Sequence, residues 1–176
     1  MDENFNELLD QSKDDEVEHD PITKLRAALE DFFVRDKVKY REFDERNVAK
    51  ATYTIDTKFR HVDVFFHVYK DKIVLHMMIP LGADESERAK VAEFLLRANY
   101  GLKIGCFDFD FNDGEISYRT SIYCGEKNFV APTYEQIDFA LVIGLLMIEK
   151  YGDALVKVMF GVLEPDDAIE MVEGND

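Results

Sequence analysis

The stretch CFDFDFNDGEISYRTSIYC, residues 106–124, decides how this chain is read. Asp108, Asp110 and Asn112 alternate as the first ligands of a calcium-binding EF-hand loop do. Such a loop, started at Asp108, needs Gly at its sixth position and Glu at its twelfth. Those places hold Asp113 and Arg119. A cation where a bidentate carboxylate belongs excludes the calcium reading. Two strands around a two-residue Asp113-Gly114 turn of type I′ explain the segment better. In that register Phe111 faces Ile116, Phe109 faces Tyr118 and Phe107 faces Thr120 on one surface. On the other, Asp110 meets Ser117 and Asp108 meets Arg119, an opposite-charge cross-strand pair. Cys106 and Cys124 then lie on opposite faces, which forbids the approach a disulfide needs. Both are expected to be reduced, and two cysteines are too few for a disulfide scaffold.

Outward from this hairpin the same periodicity arguments place the other elements. PITKLRAALEDFFVRD predicts a first helix, capped by Asp20, started by Pro21 and striped by Ile22, Leu25, Leu29 and Phe32/Phe33. KVKYREFDERNVAKATYTID predicts one or two strands with a charged turn at Asp44 to Asn47. HVDVFFHVYKDKIVLHMMIPL predicts a hairpin turning near Asp71, with Val62, Val64, Phe66 and Val68 on one side. ADESERAKVAEFLLRANYG predicts a second helix, with Asp84 and Glu87 as a capping box and Gly101 ending it in a left-handed conformation. A last helix, capped by Thr133 and Gln136, is expected to run to Phe160, with Gly152 a candidate break. The order α-β-β-β-α-β-β-α, give or take one early strand, makes the fold class α+β: an antiparallel sheet flanked by helices.

Charge divides the chain. The net charge is −16, yet residues 1–20 hold nine acids and one Lys, and residues 164–176 hold six acids and no base. The body between them, residues 21–163, is nearly neutral and is expected to form a single domain between two flexible acidic tails. With no basic stripe to displace counterions, nucleic-acid binding is not expected. The longest apolar run, Phe139 to Ile148, falls short of the roughly 20 residues a membrane span needs. The N-terminus has no basic segment followed by an apolar run, so a cytoplasmic location without membrane contact is expected.

Catalysis is not expected. No G-x-S-x-G elbow or phosphate-binding glycine loop is present, and the acids are scattered. Of the imidazoles His61, His67 and His76, a turn at Asp71-Lys72 places His67 across from His76, two corners of a metal or small-ligand site. Spacing supplies no third ligand, so neither metal nor cofactor is expected. The apolar surfaces say more. The hairpin side opposite Val64 and Phe66 carries Phe65, Tyr69, Val74 and Met78, and the last helix is apolar all round, with Phe139, Val142 and Leu146 among its residues. Seven such residues are the candidate partner or dimer surface, because one small copy is not expected to cover them.

The run ERAKVAEFLLRANYGLKIGCFDFDFNDGEISYRTSI resembles the core of the YbjN family, which is described in terms of bacterial sensory transduction regulation. The matching features are a helix ending in an L-N-Y-like turn (Leu96 to Tyr100), a G-x-F-x-x-D strand (Gly105, Phe107, Asp110), D-G-E-I (Asp113 to Ile116) and R-x-S (Arg119 to Ser121). The resemblance spans about residues 21–163. It implies a fold similar to that of type III secretion chaperones: small acidic α+β proteins, usually homodimers, that wrap extended partner segments. It carries no catalytic residues. Acidic N-terminal tail and long final helix depart from the pattern. The expected function is a non-enzymatic regulatory or chaperone-like adaptor that binds another protein. The alternative is a ligand-binding protein or enzyme using His67, His76 and nearby acids.

Overall fold

A computed structural model describes residues 20–174. Among them the chain forms helix α1 (Pro21–Arg35), strands β1 (Tyr40–Arg41), β2 (Val48–Thr54), β3 (His61–Val68) and β4 (Lys72–Met78), helix α2 (Arg88–Gly101), strands β5 (Cys106–Phe109) and β6 (Ile116–Tyr123), and helices α3 (Tyr134–Met159) and α4 (Pro165–Glu173). The six strands make one antiparallel sheet in the order β1-β2-β3-β4-β6-β5. The α+β class is as expected, with the early strand doubled and a short helix added at the end.

Strand alternation sets the layers. Val62, Val64, Phe66, Ile73, Leu75, Met77, Ile116 and Tyr118 are fully buried and meet the apolar stripes of α1, α2 and α3. The α1 stripe is the predicted one, with Leu25, Leu29, Phe32 and Phe33 buried and the Thr23 N–H donating to the Asp20 carboxylate at 3.1 Å. The capping box at Thr133 and Gln136 starts α3 as read.

Five readings need correction. The β5–β6 turn is not a two-residue type I′ turn. Phe109 pairs with Ile116 and Phe107 with Tyr118, leaving Asp110–Glu115 as the connection. The carboxylates of Asp110 and Asp113 accept the N–H groups of Asn112 (2.7 Å) and Glu115 (2.9 Å), and these local bonds hold a longer loop. The shift is by two positions, so every side chain keeps its face. Phe111 is the exception: it leaves the strand and stands mostly exposed.

At the second helix, Glu87 makes no side-chain cap, and Gly101 is the last helical residue rather than a left-handed stop. Gly152 does not interrupt α3. A Cβ there would meet the Phe59 ring at 2.8 Å, so the missing side chain admits the β2–β3 loop. Glu149 and Asp153, one turn apart on α3, pin that loop by accepting the Asp56 and Lys58 N–H groups. Finally, residues 165–173 of the expected C-terminal tail are helix α4, packed on α2 and α3 through Pro165 and Ala168. Of the expected N-terminal tail, residues 1–19 lie outside the described residues.

A groove on the open face of the sheet

All described helices lie on one side of the sheet. Its other side therefore carries the alternate residues of the same strands: Lys50 and Thr52 on β2, Asp63, Phe65 and His67 on β3, Val74, His76 and Met78 on β4. Thr52 is exposed and the others are half-buried, while on β3 and β4 their neighbours in sequence are buried. The face is mixed, where the sequence reading had it substantially apolar. A groove of about 680 Å³ crosses it, floored by Phe65, His67, His76 and Met78. The loop Pro80–Gly82 and the side chains of Asp113 and Glu115 wall one end, and Arg46 stands at the other.

The observed register organises the floor. The β3–β4 turn lies one residue earlier than expected, so Phe65 faces His76 and His67 faces Val74. His67 and His76 are diagonal neighbours with ring centroids 5.0 Å apart. Burial lowers both imidazole pKa values, and the second imidazole lowers that of His67 further. Among the described residues no group of three or more His, Cys, Asp or Glu is arranged to hold a metal ion.

Next to the groove, Asp108 and Arg119 form the pair read from sequence, although diagonally. Arg119 Nε donates to Asp108 at 2.6 Å and its second nitrogen at 3.1 Å. Burial pushes the Asp108 carboxyl up, but the Arg119 hydrogen bonds and charge, with the Cys106 thiol and His76 adding to them, together hold the group below its ordinary value. Cys106 touches the same pair, and Cys124 is buried; both thiols are free.

The candidate surface residues divide in two. Phe65 and Met78 line the groove and Val74 shares its face, whereas Tyr69 sits half-exposed at the hairpin turn under Lys72. Phe139, Val142 and Leu146 form an exposed stripe along α3, on the far side of the molecule from the groove. Sequence reasoning missed the Pro80–Gly82 wall. It also missed a second exposed patch, Leu96 and Tyr100 on α2 with Ile104 beyond it. The i, i+4 spacing of Leu96 and Tyr100, off the Val91/Phe94/Leu95/Ala98 face, was the available signal.

Helices on one face of an antiparallel sheet and an open groove on the other define a class of small α+β proteins. The chain belongs to the YbjN family: that family's model, described as "Putative bacterial sensory transduction regulator", matches residues 25–157. The crystal structure of the ExsC–ExsE complex is similar over 75% of this chain and 93% of its own, at TM-score 0.51 and 19% identity. That of YbjN from E. coli is similar over 70% and 85%, at 0.51 and 14%. The HopA1–SchA chaperone–effector complex aligns over 73% and 92%, at 0.45 and 16%. The fold is thus the type III secretion chaperone-like one that the resemblance implied. None of the curated proteins matches the chain in sequence.

Proposed function

We propose that this protein is a non-enzymatic adaptor that binds a segment of another protein on the open face of its sheet and acts as a homodimer. The observation that carries the reading is the face itself: a sheet side left uncovered by every described helix, with Phe65 and Met78 half-exposed in a groove. Such patches mark interaction sites more often than idle surface. A protein of the same fold, ExsC, is known in complex with ExsE, which supports the choice of a protein ligand. The α3 stripe Phe139, Val142 and Leu146 follows the seam spacing by which two helices pack, and it suits a second copy of itself about a two-fold axis. Lying opposite the groove, it leaves the partner face open.

The test is affinity capture from the native cell with the natural chain and with Phe65→Asp combined with Met78→Asp. A partner held by the natural chain and lost from the variant, with thermal unfolding unchanged, supports the adaptor. Capture that survives the double substitution removes this face from the mechanism.

A further inference from the structure

His67 and His76 occupy one diagonal of a two-by-two block in the groove floor, and Phe65 and Val74 occupy the other. Among the described residues neither imidazole has a hydrogen-bond or ion-pair partner. The acids around them are turned to other work. Asp63 on β3 is held by Lys50 at 2.7 Å and by the Thr52 hydroxyl. Asp108 on β5 is held by Arg119 of β6. Asp44, in the turn before β2, accepts from Arg46 and from the Val48 N–H. Asp113 accepts the Glu115 N–H. Glu115 alone faces His76 with an uncommitted carboxylate. The pair is therefore two half-buried donors, desolvated in part, and among the described residues only Glu115 is left as a competing acceptor, beside His76. A half-buried polar group without a partner costs free energy that an incoming acceptor recovers.

We propose that His67 and His76 form an anion-accepting subsite, and that the segment bound in the groove is an extended peptide carrying Asp or Glu between apolar side chains. This rests on the adaptor reading above and specifies the chemistry of its partner. The carboxylate sits between the two rings, while flanking apolar side chains cover Phe65 and Val74. Side chains on one face of an extended strand recur about every 6.6 Å, close enough for neighbouring anchors to reach Met78 as well.

Protonation couples to this binding. In the free protein burial depresses both imidazole pKa values. A bound carboxylate raises them, so the peptide takes up protons as it binds. Affinity is then full below the free-state values and is lost as pH rises through the bound-state values.

The test selects heptapeptides from a random displayed library on the immobilised full-length chain, and measures labelled winners by fluorescence anisotropy near pH 6 and pH 8. The expected winners carry one acid flanked by apolar residues. They bind about tenfold more weakly at the higher pH, and the combined His67→Gln and His76→Gln variant flattens that difference. Glu115→Gln tightens binding. Peptides that lose affinity with Phe65→Asp, or with the milder Phe65→Ser, but lack an acid or bind independently of pH, overturn this inference and leave the adaptor standing. Peptides indifferent to Phe65, or no enrichment at all, overturn the groove and this inference with it.

Discussion

At Gly114 the backbone holds φ at +80° while its carbonyl accepts the Ala83 N–H at 2.9 Å. A Cβ at that position would press into the Ala83 backbone, which has no room to yield. Gly114→Ala should therefore cost about 1–3 kcal/mol from left-handed strain, with the clash in addition, as read by urea unfolding. The turn was legible in the sequence only in part. Asp113-Gly114 announced a reversal, but Asp110 and Asp113 bond to backbone amides two residues on, and tight-turn statistics do not weigh that competition. At the same scale the histidine pair makes the free protein pH-sensitive. The folded pKa values of His67 and His76 are depressed, so the unfolded chain binds more protons. Stability is complete above the ordinary imidazole value and falls as pH drops from there through the folded values. Thermal melts across that window should show the decline, and His67→Gln with His76→Gln should reduce it.

Helix α4 shows where charge misled the reading of an element. Six acids without a base looked like a solvated tail, yet Pro165 opens the helix and Asp166 and Asp167 sit in its first turn, where the dipole favours them. The bases are elsewhere in the chain: Lys90 meets Glu164 at 2.6 Å and Arg97 meets Asp166 at 2.7 Å, both on α2. These exposed pairs contribute little individually; burial of Ala168 between α2 and α3 is what fixes the helix. Removing residues 164–176 should lower the melting temperature by on the order of 5 °C. An unchanged melt would return the segment to the status of a loose tail. The helix starts were easier to read. Thr133→Ala breaks the reciprocal cap of α3 and should cost about 1 kcal/mol, measurable by the same unfolding.

At the scale of the whole molecule, the expectation was that one copy leaves too much apolar area uncovered. One copy does bury most of the inner side of its sheet, with Tyr40, Tyr53 and Phe109 partly covered, using helices whose stripes were legible from spacing alone. The apolar area left outside includes the groove, the α3 stripe and the α2 patch, with single exposed residues such as Val34, Tyr123, Val130 and Phe160 elsewhere. The groove was hard to foresee because its walls come from Pro80–Gly82 and from Asp113 and Glu115, segments far apart in the chain that only tertiary structure brings together. The homodimer predicts a light-scattering mass near twice 20.4 kDa, reduced to one copy by Phe139→Asp with Leu146→Asp. A natural chain that scatters as one copy removes the dimer. The two borders of the sheet also differ. On β5, the Asn99 side chain takes the outward amide and carbonyl of Phe107, at 2.7 and 2.8 Å, as another strand would. On β2, the two-residue β1 covers only the middle. Fibre growth by strand addition requires an acceptor at both borders; here one is already plugged by an asparagine, so any edge-on pairing of copies ends after a single step.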